Sequence, residues 1–453
     1  MNEPASRASA LSRPAAFQLL ICGTLVLYVY RLFIVGANLS LFRLLLAGWT
    51  LVALVDLLRG RLPIGPWQWA LGGIVGAVVA VNAVEFAGLG GHPDLRRDVL
   101  NHLLNVWFTV LLALYVRSHA AAISLLAAFV WSSLLTSAIT LASWALGALP
   151  FEGWLRAYGG PAARNLPYLG YDLYFNRATS AFYDPNFYGI YSALVVLTAL
   201  GLWLTVERRR WLLALAALNV VFLSASLSRT GLMGLLGGLA AGVVVYRGDR
   251  RPARRLIVLT AAATCVCFLA GSAIQSRANR ERAASWWAGR PSSPTAGATR
   301  PAGAPADVTA PRDQDRLIGS ASVSDRFRRI QHGWHVFRSG PWLGRGGAAL
   351  LRPDFPPHAS AHLVYLTLLA RYGIVGTLIY AAFALVPLVT IARRRGPPAD
   401  PIVVTAAACW ALVFVSYDVF LSFEIVYLFL GLAWALATLA PGDAGHAPGV
   451  DAG

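Results

Sequence analysis

Apolar runs of about 20 residues recur along almost the whole chain, and each is close to the length that a helix needs to cross a bilayer. Only 13% of the 453 residues are charged, whereas roughly 25% is usual in soluble domains. A backbone in lipid must satisfy its hydrogen bonds internally, so these runs predict helices. The sequence therefore predicts an all-α, polytopic integral membrane bundle of about twelve transmembrane helices, with eleven or thirteen also compatible. The predicted spans are roughly 16–36, 39–58, 66–88, 100–117, 119–147, 187–205, 211–228, 230–246, 256–274, 361–391, 401–417 and 421–440.

The basic residues predict the orientation of this bundle. All 38 are arginine, and the formal net charge is +17. Such a charge is also typical of nucleic-acid-binding proteins, but most of these arginines lie in short loops between apolar runs, which indicates a topogenic role and attraction to anionic membrane lipids. No nucleic-acid partner is expected. The positive-inside rule assigns four clusters to the cytoplasm, with only 92–98 falling outside against the rule: Arg59/Arg61, 208–210, 247–255 and 393–395.

This topology divides the chain into six parts. The segments between spans are short, except for two polar stretches that both fall on the outer face. The second stretch contains a Pro/Ala/Ser/Thr-rich insertion at about 289–312, which predicts disorder, and then a helix within Ser322 to Gly347. The predicted parts are transmembrane helices 1–5 (1–147), a first extracytoplasmic segment (148–186), transmembrane helices 6–9 (187–274), a large extracytoplasmic loop (275–360), C-terminal transmembrane helices (361–440) and a cytoplasmic tail (441–453).

Arg229 lies where an arginine is costly. It follows an apolar run that begins at Val220 and precedes another from Gly231 to Tyr246. A cation between two spanning segments is usually kept for an anionic ligand or partner. Single polar groups inside other spans are expected to pair within the bundle: Arg31, Arg43 and Glu85.

Four segments are predicted to meet at the outer membrane–water boundary: 177–189, 226–231, 325–329 and 361–363. They bring three arginines, Arg177, Arg229 and Arg326, together with His362. Guanidinium groups are permanently charged forks that match phosphate oxygens, and a histidine can take a proton from a hydroxyl. These residues predict a site for an anionic, phosphate-bearing substrate.

Each signal also has a purely structural interpretation. Arg177 is equally typical of a surface anchor, and His362 of an ordinary interfacial histidine. Asp184 and Asn186 flank Pro185 in a typical helix-start pattern. Arg326, Arg328 and Arg329 would also solvate a loop helix. Several aromatic residues are expected to face either sugar or lipid, or simply to pack at the interface: Tyr183, Phe187, Tyr188, Trp334 and Trp342.

Taken together, the segments resemble the O-antigen ligase and Wzy-polymerase superfamily of bacterial envelope membrane proteins. In that family a histidine is followed by a small polar residue, nine further residues, Gly, two residues and Gly. His362, Gly373 and Gly376 keep this spacing, with Leu363 standing where the family has Asn, Ser or Gln. The family's Ser-x-Ser-Arg element matches 226–229.

Two further elements complete the resemblance. The family's loop arginine stands about fifteen residues before Pro-x-x-Gly-x-Gly, as Arg326 does before 341–346, although Ile330 replaces a tryptophan that often follows. The stretch from Arg177 to Gly189 looks like the family's Arg-x-x-Ser and Asn/Asp-Pro-Asn element. The resemblance covers about 170–380, and the first 150 residues match only in hydropathy.

The resemblance implies a metal-independent glycosyltransferase without a cofactor, in the bacterial inner membrane, with its active site facing the periplasm. Its donor would be an undecaprenyl-diphosphate-linked glycan and its acceptor a hydroxyl of lipid A–core. The catalytic residues would be His362 as the base, with Arg229 and Arg326 on the diphosphate. The implied substrate-binding residues are Arg177, Tyr183, Asp184, Asn186, Ser226, Ser228 and Arg329.

Two alternatives remain open at this point. A Wzy-type polymerase extends an O-antigen or exopolysaccharide on the same carrier with the same constellation, so that its acceptor is a glycan. A transporter of a polyprenyl-linked solute also fits twelve spans, although a carrier is expected to place its charges near the midplane.

Overall fold

The chain folds into a bundle of helices with one short β-hairpin. The computed structural model describes residues 16–27, 31–34, 37–62, 64–146, 177–182, 184–246, 250–288, 320–351, 360–394, 399–415, 418, 420 and 423–439. The predicted insertion at 289–312, most of the first extracytoplasmic segment and the tail at 441–453 lie outside these residues. The helices are α1 (Ala16–Val26), α2 (Leu41–Leu58), α3 (Pro66–Gly88), α4 (Pro93–Tyr115), α5 (His119–Leu146), α6 (Pro185–Thr205), α7 (Arg210–Ser226), α8 (Arg229–Val245), α9 (Arg250–Ala288), α10 (Ser320–Ser339), α11 (Val364–Arg393), α12 (Ala399–Val413) and α13 (Glu424–Thr438).

The predicted fold class is confirmed. Seven of the described helices are long and apolar enough to cross a membrane, and five further apolar helices have between 10 and 17 residues. Each of these twelve helices overlaps one of the twelve predicted apolar runs, although α1 covers only the first half of the run 16–36, and α10 lies where a helix is expected within Ser322 to Gly347. The number of helices that cross the membrane stays a prediction.

The first predicted span differs from the structure. Helix α1 ends at Val26, and the chain then forms an antiparallel hairpin of β1 (Arg31–Ile34) and β2 (Ala37–Ser40), in which Arg31 is paired with Ser40. Hydropathy does not distinguish these conformations, because a short apolar run is compatible with either a helix or a strand. Aromatic and β-branched residues such as Phe33 and Ile34 favour the strand.

Helix starts follow local signals in the sequence. Ser40 accepts a hydrogen bond from the backbone N–H of Arg43 at the start of α2. Pro66 and Pro93 stand at the first positions of α3 and α4, where the missing N–H of proline costs no helical hydrogen bond. These caps explain why most predicted boundaries agree with the structure within a few residues.

Helices α6 and α13 lie at the centre of the bundle. Almost every residue of both is buried, as expected for helices that are apolar on all sides. The apolar part of α9 is instead mostly exposed, which places it at the periphery. The segments on either side of α6 are therefore held by the most enclosed part of the molecule.

Two arginines at helix ends donate to backbone carbonyls of neighbouring helices. At the end of α11, Arg394 donates to the carbonyl groups of Leu436, Ala437 and Leu439 at the end of α13, over 3.2, 2.6 and 2.7 Å. Arg117 after α4 donates to the carbonyl of Arg61 after α2 over 3.3 Å. Residues 361–363 precede α11 and therefore lie at the end of that helix opposite Arg394.

Candidate functional site

The turn between α7 and α8 presents Arg229. Leu227 adopts a left-handed conformation with φ 50° and ends α7. The hydroxyl of Ser226 donates to the carbonyl of Leu223, and the hydroxyl of Ser228 accepts from the N–H of Gly231 as the N-cap of α8. Both serine side chains are buried, whereas Arg229, the first residue of α8, is exposed. The serines thus build the turn, and their predicted contact with substrate stays a prediction.

Arg177 is held beside the same turn. The N–H of Ala178 donates to the carbonyl of Ala225 over 3.0 Å, and Nε of Arg177 donates to the carbonyl of Ser226 over 2.9 Å. Arg177 is therefore anchored to backbone carbonyls that lie three and four residues before Arg229.

The start of α6 crosses this turn at very short range. A Cβ on Gly189 would lie 2.3 Å from the Cβ of Ser228, and a Cβ on Gly231 would lie 2.7 Å from the carbonyl carbon of Gly189. Both glycines are thus required by packing. The carboxylate of Asp184 accepts from the N–H of Asn186 over 2.7 Å and caps α6, so the helix-start interpretation holds for Asp184.

The aromatic residues of this region divide into two groups. Phe187 and Tyr188 are buried in the bundle, and the hydroxyl of Thr140 donates to that of Tyr188. They therefore face neither sugar nor lipid from the surface, because the start of α6 lies deeper than the sequence predicts. Trp334 and Trp342 are exposed. Tyr183 lies outside the described residues.

The segment before α11 holds His362 in an unusual backbone conformation. Its φ is 56°, and its N–H donates to the hydroxyl of Ser360 over 2.9 Å. The N–H of Ala361 donates to the hydroxyl of Thr367 over 3.0 Å, and the N–H of Val364 donates to the carbonyl of Phe414 over 3.1 Å. The position of the histidine is therefore determined by contacts on both sides of it.

Asp418 is a residue that the sequence analysis missed. It lies between α12 and α13, and the hydroxyl of Thr367 donates to its carboxylate over 2.6 Å. Burial raises the pKa of Asp418 above its ordinary value, while hydrogen bonds from Thr367 and Ser360 and the charge of Arg371 oppose this shift. No sequence motif marks it, because its relation to His362 exists only in the folded chain.

Positive φ angles at residues other than glycine coincide with the predicted segments. In the part of the chain that the structure describes, they occur at Ser180, Leu227 and His362, one in each of three of the four segments. Such conformations are costly and cluster at functional sites. This observation supports the predicted segments without using the family resemblance.

The fourth segment is carried by α10. A Cβ on Gly333 would lie 2.7 Å from the Cβ of Ala361, so α10 packs directly on the residue before the histidine. Arg329 lies on the buried face of α10 together with Gly333 and Val336, whereas Arg326 is exposed. Arg326 lies seven residues, or about 10 Å, along the helix from Gly333.

The segment between α12 and α13 connects the two halves of the candidate site. A Cβ on Gly234, near the start of α8, would lie 2.8 Å from a methyl group of Val413 at the end of α12. The next residue, Phe414, accepts the hydrogen bond from Val364 at the start of α11. The structure thus brings the four segments to one end of the bundle, and a common ligand for their cations stays a prediction.

The glycine-containing turn 341–346 packs against the break in α11 at Gly373. Helix α11 is broken at Gly373, where φ is 67° and ψ is −169°. The carbonyls of Ala370 and Arg371 accept from the N–H groups of Arg345 and Gly346. On the far side of the break, the N–H groups of residues 374 and 375 donate to the carbonyls of residues 341 and 342. The turn 341–346 therefore satisfies the backbone groups that the break would leave without partners.

The close approach of these backbones explains the spacing of both motifs. A Cβ on Gly373 would lie 2.3 Å from the carbonyl oxygen of Trp342, and a Cβ on Gly344 would lie 2.3 Å from that of Arg371. Both glycines also have positive φ.

Gly373→Ala is therefore expected to destabilise the protein by on the order of 3 kcal/mol, because it combines a conformation close to glycine-only with a backbone clash. Thermal unfolding in detergent would measure the change. Gly72→Ala in α3 is the matched control, since nothing lies within 4 Å of its added Cβ. An unchanged melting temperature for Gly373→Ala would contradict this account of the motif.

Glu85 is paired inside the bundle, as the sequence predicts for it. Its partner is Arg371, with Nη2 and Oε1 2.8 Å apart. A cluster of three or more side chains suitable for a metal is absent from the described part of the chain.

One family comparison bears on these residues. Residues 212–381 match the family model described as O-antigen ligase, while no curated protein matches the chain. The matched segment contains the 226–229 turn, Arg326 and the motif from His362 to Gly376. These are three of the four elements that carry the resemblance, and they lie on or next to α7, α8, α10 and α11; the stretch from Arg177 to Gly189 lies outside the match. Residues 212–381 are therefore similar to the O-antigen ligase family, and the chain has the several apolar helices of a multi-pass membrane protein.

Proposed function

We propose that the protein is an O-antigen ligase-like glycosyltransferase. It moves a glycan from undecaprenyl diphosphate to a hydroxyl of lipid A–core, or a related acceptor, on the outer face of the bacterial inner membrane. The observation that carries this proposal is the exposed guanidinium of Arg229 at the start of α8, with Arg177 anchored to the same turn over 2.9 Å.

The arginines suit the leaving group of this reaction. The acceptor oxygen forms a bond to the anomeric carbon as the bond from that carbon to the diphosphate breaks, so negative charge grows on the diphosphate. Arg229 and Arg326 stabilise this charge, and Arg177 binds at its rim. The N-terminus of α8 adds a favourable dipole for an anion at Arg229.

His362 is assigned to the acceptor. It removes the proton from the acceptor hydroxyl as that oxygen attacks, and the proton stays on the imidazole until water accepts it. Its left-handed backbone and the hydrogen bond from its N–H to Ser360 direct the segment away from the helical course of α11. Asp418 contacts the histidine segment through Thr367. The hydroxyl of Thr367 accepts from the N–H of Ala361 and donates to the carboxylate of Asp418.

Asp418→Asn is expected to change how stability depends on pH. A raised pKa means that folding favours the protonated carboxyl, and that contribution is lost as the pH rises through the raised pKa. Asparagine resembles the protonated form at every pH and still accepts from Thr367. The variant and the wild type should therefore be equally stable below about pH 4, and the variant should be the more stable at neutral pH. Melting temperatures measured across this range test it; a parallel decrease for both proteins would contradict the assigned shift.

The assay that tests the function uses purified protein in detergent, where no gradient exists. Synthetic undecaprenyl-diphosphate glycan is supplied with lipid A–core, or with a second carrier-linked glycan. Transfer to lipid A–core supports the ligase, whereas extension on the carrier indicates the polymerase alternative. A protein that transfers glycan to neither acceptor, yet moves the carrier across vesicles, is a transporter and not the proposed enzyme.

A further inference from the structure

A single carboxylate oxygen joins three parts of the molecule beneath the candidate site. Oε1 of Glu85, near the end of α3, accepts from Nε of Arg371 over 2.9 Å and from the backbone N–H of Gly347 over 2.8 Å. Both charged side chains are almost completely buried, at 6% and 5% exposure. The pair therefore links α3, α11 and the turn that follows α10.

Arg371 holds this turn with its backbone as well. Its carbonyl accepts from the N–H of Gly346 over 3.0 Å, and the carbonyl of Ala370 accepts from the N–H of Arg345 over 2.9 Å. The consecutive N–H groups of residues 345–347 are thus bound by Ala370 and Arg371 of α11 and by the carboxylate of Glu85. Because only Gly340 lies between the end of α10 and this turn, these contacts determine where the end of α10 lies against α11.

Stability alone does not account for such a pair. Removing two charges from water is costly, and replacing a buried ion pair by well-packed apolar side chains is often neutral or stabilising. Removing one partner, in contrast, leaves a buried charge and is strongly destabilising. What an apolar replacement cannot supply is the directional contact from Oε1 to the N–H of Gly347.

We propose that Glu85 and Arg371 are a positioning pair for glycan transfer. They hold α10, which carries Arg326, in register with the segment that carries His362, while neither side chain touches substrate. This inference rests on the proposed function. A displacement of about 1 Å between groups that act on the same substrate typically costs on the order of 10²-fold in rate, so the pair acts on kcat rather than on the binding of the donor.

The decisive variant is the double substitution Glu85→Leu with Arg371→Met, which removes both charges and keeps apolar volume. The single substitutions Glu85→Leu and Arg371→Met should lower the melting temperature, because each leaves one buried charge. The double variant should recover most of that loss, yet its kcat should stay about 10- to 100-fold below wild type with little change in the KM for the donor. A kcat that recovers together with the melting temperature would show a merely structural pair and overturn the proposal. Arg338→Gln, at an exposed arginine of α10, is the control and should retain the wild-type kcat.

A distance measurement separates this inference from the proposed function. Spin labels at Gln331→Cys on α10 and Leu378→Cys on α11 report the register directly, after the half-buried Cys265 and Cys267 are replaced. The double variant should broaden or shift the distance distribution even if the wild type transfers no glycan, an outcome that would reject only the function. An unchanged distribution in the double variant would reject the positioning role.

Discussion

Replacement of His362 by alanine is expected to reduce glycan transfer by roughly 10²- to 10⁴-fold, the usual loss when a general base is removed. The protein should still reach the membrane and bind its donor, because the contacts around the histidine are made by backbone groups of residues 361–364. The measurement is initial rate against acceptor concentration with purified protein, compared at equal amounts of folded enzyme.

The left-handed backbone of His362 allows a sharper version of this experiment. Asparagine tolerates positive φ better than alanine does, so His362→Asn keeps the conformation and removes the imidazole. Both variants should be inactive if the imidazole takes the proton. Recovery of transfer in His362→Asn would show that only the backbone conformation is needed. His335→Ala, at an exposed histidine of α10, is the matched control and should remain active.

Replacement of Arg229 by alanine is expected to lower kcat by about 10²- to 10³-fold, as for the loss of one preorganised group that stabilises developing charge. Arg229→Lys should recover only part of this loss, because an ammonium keeps the charge but lacks the planar fork that matches two phosphate oxygens. Folding should be unaffected, since the turn is built by Ser226, Leu227 and Ser228 and the arginine side chain is exposed.

The chain offers a close control for Arg229. Arg210 is likewise exposed and is likewise the first residue of a helix, α7, but it lies at the opposite end of that helix from the 226–229 turn. Arg210→Ala should leave transfer unchanged, so that a loss seen only at position 229 is specific to the site. Wild-type kinetics in Arg229→Ala would remove this arginine from the proposed mechanism.

Sequence prediction agrees with the observed helix starts around the candidate site where its signals are local. The predicted spans 211–228 and 230–246 meet at Arg229, and the structure shows Ser228 as the cap of α8 and Arg229 as its first residue. Asp184 caps α6, as the helix-start pattern around Pro185 predicts. The burial of Phe187 and Tyr188 was not predicted, because it depends on how deeply α6 lies among the other helices rather than on its own residues.

Hydropathy, capping and motif spacing act over a few turns of chain, so they predict the bundle, most helix boundaries and the candidate residues without reference to distant segments. The contacts between segments that are distant in the sequence are visible only in the folded chain. They include the Glu85–Arg371 pair across 286 residues, Asp418 near the histidine segment, and the turn 341–346 as the partner of the break at Gly373. Such contacts depend on the packing of distant helices and on backbones that approach closely at glycines, which have no side chain. No short stretch of sequence specifies them.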